Sequence, residues 1–382
     1  MKRLMMPSVL LSALSLLLSC SQTASGQGST VEKQLKTMSL KEKIGQLFIV
    51  RPEAFDPEIQ WVTGEDLVPY AIRGVNSRMA ETNQEYPVGG ILLYAHNIDT
   101  PEQVTRFIGE LRRFQGDPLI CIDEEGGRVA RIGNNPNFQV PRFESTASIG
   151  ATGNPKAAYN AAFAIGSYLK QYGFEVNFAP VADVNTNPEN IIIGTRAFSD
   201  NPAVAAPMVA QYVKGMADAG VVSCLKHFPG HGDTYADTHL GYAVSHKTWE
   251  EMRSCEMVSF KAGIAAGAPM VMTAHISAPK VTGSEIPSTL SPVILQEKLR
   301  GELGFEGVII TDGMEMGAIT RQYSSEEAAI LALQAGADIL LGTRDYPKVF
   351  EAVLKAVEDG IIPESRIDES VRRILQLKAS VR

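Results

Sequence analysis

Short apolar, β-branched runs alternate with longer helix-like stretches along this chain of 382 residues. That alternation predicts an α/β fold with a parallel sheet, and eight units favour a (β/α)8 TIM-type barrel forming a single domain. The polar residues point the same way. Asp123, Lys226, His227, His275 and Asp312 all end predicted strands, and in a barrel those ends converge on one face. Polar residues at the strand N-termini form no comparable set. Periodicity alone leaves an open doubly wound sheet as the rival.

The elements follow in order. Lys2 and Arg3 precede the apolar run Val9 to Leu18, which breaks at Leu17-Leu18-Ser19-Cys20. A basic start and a short apolar core describe an export signal over residues 1–19, too short to span a bilayer. Cys20 at the break resembles a bacterial lipobox, where it would become the lipidated first residue; an ordinary secretory peptide containing a cysteine is the plainer alternative. Residues 20–30 read as a flexible tether and 31–382 as the folded domain. The expected location is a bacterial membrane surface, anchored through Cys20 and facing the periplasm.

Strands are predicted near Leu47–Val50, Gly90–Tyr94, Leu119–Asp123, Asn177–Asp183, Val221–His227, Met270–His275, Val308–Asp312 and Ile339–Gly342. Their continuous apolar character suits strands buried on both faces. Amphipathic segments at Glu102–Phe114, Pro155–Tyr172, Pro202–Ala219, Trp249–Ala265 and Ser325–Ala335 supply helices between them. The stretch Arg51–Pro87 is long for one connection and is a candidate lid. Cys121, Cys224 and Cys255 have no regular spacing and predict no disulfide framework. A net charge of −8 argues against nucleic-acid binding. Nothing fixes the oligomeric state, so a monomer is the default.

Lys226-His227-Phe228-Pro229-Gly230-His231-Gly232-Asp233-Thr234, followed by Asp237-Thr238-His239, carries three of the six histidines. Each imidazole needs a hydrogen-bond partner or water, so this crowding suits a site better than a core. Asp237 beside His239 can orient the ring and raise its basicity, as an acid/base requires; a solvated loop pair is the plainer reading. His227 and His231 have the spacing of a helical zinc pair, but Pro229-Gly230 breaks that helix, and no metal is expected. Asp312 can act as a nucleophile, a ligand or the N-cap of the next helix. Asp123 opens Glu124-Glu125-Gly126-Gly127-Arg128, whose acids can accept hydrogen bonds from hydroxyls, while Arg128 is expected to pair with Glu124 or Glu125. Arg196 sits on the loop after the fourth strand.

Together these segments resemble glycoside hydrolase family 3, in its β-N-acetylglucosaminidase (β-N-acetylhexosaminidase) branch. The matching pieces are Ile122-Asp123-Glu124-Glu125-Gly126-Gly127-Arg128-Val129, Asn177-Phe178-Ala179-Pro180-Val181-Ala182-Asp183, Gly194-Thr195-Arg196-Ala197-Phe198, the Lys226 to His239 loop, and Thr311-Asp312-Gly313-Met314. The resemblance favours the barrel and implies Asp312 as nucleophile, His239 as acid/base with Asp237 as its partner, and Asp123, Arg196, Lys226 and His227 as sugar-binding residues. It implies an exo-hydrolase of terminal β-linked N-acetylglucosamine, acting on muropeptides or chitin-like oligosaccharides without a cofactor. A phosphorylase or a β-glucosidase-type hydrolase is the near alternative; a metal-dependent hydrolase and a non-catalytic sugar-binding lipoprotein are the distant ones. Gly313 departs from the pattern, since many members carry a second aspartate there.

Overall fold

The computed structural model describes residues 28, 30–59, 62, 69–236 and 243–381. The export signal, Cys20, Asp237 and His239 lie outside the described residues.

Eight parallel strands close into a barrel: β1 (Phe48–Val50), β2 (Gly90–Leu93), β3 (Leu119–Ile122), β4 (Val176–Asn177), β5 (Val222–Phe228), β8 (Met270–Thr273), β9 (Val308–Gly313) and β10 (Ile339–Leu341). Each pairs with its sequence neighbour in the barrel, and β1 closes against β10 at Phe48↔Leu340 and Ile49↔Leu341. Between β5 and β8, the strands β6 (Tyr235–Ala236) and β7 (Ala243–Val244) form an antiparallel hairpin outside the barrel.

The barrel strands are buried, apart from half-buried Asp312 and Gly313, as continuous apolar runs require when helices cover the outside. The helices start where the sequence provides caps. Pro101–Leu111, Pro155–Tyr172 and Pro202–Asp218 each begin with proline at the first helical position. Thr100, Asn154 and Asn201 cap them through Gln103, Lys156 and Ala203 N–H groups. Such a cap is worth about 1 kcal/mol. An aromatic cluster seals the β1–β10 seam: Phe48 lies 5.2 Å from Tyr346 and 6.0 Å from Phe350, and Tyr346 Oη donates to the Pro87 carbonyl at 2.7 Å.

Three expectations need correction. The fourth strand has only Val176 and Asn177 in regular pairing, with an isolated bridge at Val181↔Lys226. Pro180 lacks the N–H that a longer ladder would use. The helix expected over Trp249–Ala265 breaks at Cys255, whose φ of −126° and ψ of −85° separate Trp249–Ser254 from Glu256–Ala265. The buried Glu256 then starts the second helix and meets Lys247.

In the stretch Arg51–Pro87, Ser77–Glu85 is the outer helix between β1 and β2, and the buried turn Pro52–Phe55 packs beneath it. Residues 60, 61 and 63–68 of the candidate lid lie outside the described residues.

The strand N-termini do hold a polar set. Asp338, just before β10, accepts from Arg300 (2.6 Å), Arg373 (3.0 Å), Ser370 (2.7 Å) and the Ile309 N–H (2.9 Å). Lys378, on the helix Glu364–Val381, donates to Gln46 Oε1 (2.6 Å) and to the Gly116 (2.8 Å) and Asp117 (2.7 Å) carbonyls. These partners come from distant segments, so no local pattern announced them. They brace the bottom of the barrel.

Candidate active site

The C-terminal ends of the strands surround a cavity of about 340 Å³. Asp123, Arg196, Lys226, His227 and Asp312 all line it, joined by Tyr94, Glu125, Arg131, His231 and Glu315. Leu92, Val129, Met272 and Leu341 supply apolar wall, while Ile192 and Met316 reach solvent at its rim.

Asp312 ends β9. It is no helix N-cap, because the next helix, Gly317–Thr320, starts from Met316. Its Oδ1 accepts the Gly313 N–H at 2.7 Å. Burial opposes its ionisation, but His227 and His275, to the extent that they are protonated, with that N–H and Lys226, outweigh burial and hold the carboxyl below its usual range. His275 lies between the Gly313 carbonyl (Nε2, 3.0 Å) and Thr289 (Nδ1, 2.9 Å). A carbonyl only accepts, so Nε2 carries hydrogen, and burial lowers the ring's pKa.

Lys226 and His227 are consecutive, and a regular strand would send their side chains to opposite faces. The β5–β8 register shifts between Leu225 and Phe228, and both side chains line the cavity. The Lys226–His227 peptide is cis, as are Ala179–Pro180 and Phe228–Pro229.

The acids after β3 divide. Glu124 turns into the scaffold, accepting from the backbone N–H groups of Arg131 (2.5 Å), Ile132 (2.9 Å) and Gly133 (2.7 Å) and from Tyr168 Oη (2.7 Å). Glu125 faces the cavity. It takes a two-pronged contact from Arg196 (2.9 and 2.8 Å) and an ion pair from Lys226 (2.6 Å). Burial works against its charge, yet Lys226 and Arg196 pull its pKa down to about 2. Lys226 also reaches Asp123 Oδ1 at 2.9 Å, and Arg131 lies 3.7 Å from Asp123 Oδ2. Arg128 pairs with neither glutamate, contrary to expectation. Its Nη2 donates to the Ile191 (2.7 Å) and Ile192 (2.6 Å) carbonyls, fixing the loop that presents Arg196.

Sequence reasoning named Asp123, Arg196, Lys226, His227 and Asp312, and the fold brings all five together. It gave Asp183 no role, although that residue ends the Asn177–Asp183 motif, and it left Glu124 and Glu125 undivided as acceptors. Only the turn at Gly126-Gly127 decides that Glu125 is the one facing the cavity.

Asp237 and His239 lie outside the described residues, but both stems of the intervening segment 237–242 are fastened. On one side, Asp183 accepts the His231 N–H at 2.6 Å, and Asn190 Nδ2 donates to the His231 carbonyl at 2.7 Å. The motif glycines permit this packing. A Cβ on Gly232 would come within 2.0 Å of the Val184 carbonyl oxygen, and Gly230 has φ +122° against Glu256. On the other side, Ser245 Oγ donates to Asp233 Oδ2 at 2.7 Å, and Val244 bridges to Ser277.

The chain matches the model described as "Glycosyl hydrolase family 3 N terminal domain" over residues 39–377. It belongs to glycosyl hydrolase family 3. Over 333 residues it is 35% identical to Beta-hexosaminidase A of Pseudoalteromonas piscicida, covering 79% of this chain and 55% of that protein. Over 317 residues it is 34% identical to a Beta-hexosaminidase of Stenotrophomonas maltophilia (strain K279a), covering 77% and 92%. The solved family 3 beta-N-acetylglucosaminidase of Paenibacillus sp. str. FPU-7 superposes with a TM-score of 0.78 at 37% identity, covering 90% of this chain and 63% of that one. The chain therefore spans just over half of the Pseudoalteromonas relative and under two thirds of the Paenibacillus structure.

Proposed function

We propose that this chain is a retaining exo-glycosidase that removes terminal, non-reducing β-linked N-acetylglucosamine from muropeptides or chitin-like oligosaccharides. The observation that carries this reading is the half-buried Asp312, held ionised beside Asp123, Arg196, Lys226 and His227 in one cavity. Relatives named Beta-hexosaminidase and beta-N-acetylglucosaminidase support the choice of sugar.

In the proposed reaction the Asp312 carboxylate bonds to the anomeric carbon as the glycosidic C–O bond breaks, and His239 gives its proton to the departing oxygen. Asp237 orients the His239 ring. Water then attacks the glycosyl–Asp312 ester at the anomeric carbon, passes a proton to His239 and frees the carboxylate. Two inversions retain configuration, with an imidazole in the place usually held by a second carboxyl group. Asp123, Arg196, Lys226 and His227 bind the hydroxyls of the terminal sugar, contacts costly to lose because their buried partners are left unpaired.

The test is release of phenol from an aryl β-N-acetylglucosaminide and an aryl β-glucoside, each with and without phosphate. Phosphate-independent release from the first alone is expected. Phosphate-dependent formation of a sugar 1-phosphate would make it a phosphorylase, and release from the glucoside would change the sugar. Silence of a folded protein on both would return the binding-protein reading. We also propose lipid attachment at Cys20 of an exported chain facing the periplasm. Labelled palmitate should enter the protein and be lost in Cys20→Ser.

A further inference from the structure

We propose that Asp183 is a positioning residue: it locks His227 in the tautomer whose Nε2 accepts a hydrogen bond, so that the cavity selects a sugar hydroxyl able to donate. This rests on the reading of the cavity as a sugar site.

Asp183 is fully buried in the loop after β4. Its Oδ2 lies 2.8 Å from His227 Nδ1 and 3.1 Å from the His227 backbone nitrogen, and its Oδ1 lies 2.6 Å from the His231 backbone nitrogen. Three donors thus converge on one carboxylate, which stays ionised below its usual range although burial opposes it. An ionised carboxylate only accepts, so Nδ1 must carry the hydrogen.

The opposite edge of the ring is fixed independently. Arg196 Nη2 lies 3.3 Å from His227 Nε2, and a guanidinium only donates. Nε2 therefore meets that group with its lone pair, because an N–H there would face another N–H. Lys226 and Arg196 are donors in every state, which leaves His227 as an acceptor beside them. A hydroxyl that enters between them replaces the 3.3 Å contact, accepting from Arg196 and donating to the Nε2 lone pair. Fluorine or an ether oxygen can do only the first.

The tautomer is read directly from ¹⁵N shifts of histidine-labelled protein, with His227 assigned by comparison with His227→Gln. Hydrogen on Nδ1 is expected; hydrogen on Nε2 alone would overturn the proposal without reference to activity. Selection is read from inhibition by N-acetylglucosamine and its 3-, 4- and 6-monofluoro derivatives. Ground-state binding keeps fluorine's electronic effect on bond cleavage out of the measurement.

One derivative should bind at least about 10-fold more weakly than the parent, as expected for a buried acceptor left without its donor. Asp183→Ala removes the acceptor of the Nδ1 hydrogen, frees the ring to carry its hydrogen on Nε2 and should narrow that gap severalfold. Equal binding of all four sugars by the unaltered protein would overturn the selection. If Asp183→Ala does not fold, the ring shifts and inhibition of the unaltered protein still decide. If N-acetylglucosamine itself does not bind, the sugar-site reading fails while the tautomer stands on its spectrum.

Discussion

Replacing Glu125 with glutamine tests whether the cavity is organised around that carboxylate. Glu125 is almost fully buried, and its charge answers both Lys226 and Arg196. Its pKa falls from the ordinary 4.5 to about 2, an interaction of roughly 3 kcal/mol at about 1.4 kcal/mol per unit. Glutamine keeps the shape but leaves the buried Lys226 and the part-buried Arg196 short of one negative charge, which should cost about 3–5 kcal/mol.

The pH dependence provides the check. A carboxyl whose folded pKa is lowered stabilises fully above its unfolded value near 4.5 and loses that contribution as pH falls toward about 2. Urea unfolding of both proteins should show the full gap at pH 7. At pH 3.5 linkage between these two pKa values predicts a gap smaller by about 1.4 kcal/mol. A loss below about 1 kcal/mol at pH 7, or a gap unchanged by acid, would refute the argument that Glu125 holds the two cations in place.

Other outcomes follow from the same geometry. Asp312→Ala should lower kcat by on the order of 10³-fold or more with unchanged circular dichroism, and azide should restore turnover as an inverted glycosyl azide. Near-normal activity would remove it as nucleophile. His239→Ala should harm substrates with sugar leaving groups at least about 10-fold more than dinitrophenyl glycosides; equal losses would argue against an acid role. Lys378→Met leaves Gln46 Oε1 and the Asp117 carbonyl without that donor, while Gly116 keeps its bond from Gln46 Nε2 at 2.9 Å. Stability should drop by about 2–4 kcal/mol in urea, with kcat/KM of the folded protein unchanged because the site lies at the opposite end of the barrel.

Much of the fold was legible because buried parallel strands leave an unmistakable pattern, and because Asp123, Lys226 and Asp312 each follow such a run. What stayed hidden depends on contacts between remote segments. Glu124 and Glu125 are adjacent and chemically equivalent, yet one caps the backbone turn at Arg131–Gly133 and the other holds the two cations. Arg128 was paired with the wrong acceptors because carbonyls, such as those of Ile191 and Ile192, leave no mark in a sequence. Ser77–Glu85 buries only Met79 and Asn83, so it shows too little apolar periodicity to be recognised as the first outer helix.

The charges of the cavity also bear on what it can hold. Lys226 and Arg196 are answered by Asp123 and Glu125, so these four groups present donors and acceptors with no net charge among them. Without those acids, Lys226 and Arg196 would leave uncompensated positive charge in the cavity and favour anionic ligands there. With them, Asp312 keeps enough positive surroundings to stay ionised while remaining free of a direct cation contact among the described residues. A neutral, hydroxyl-rich ring fits that arrangement better than a phosphate or carboxylate does. The same compensation explains why Asp123 and Glu125, two residues apart after β3, meet Lys226 and an arginine from another loop in one cavity.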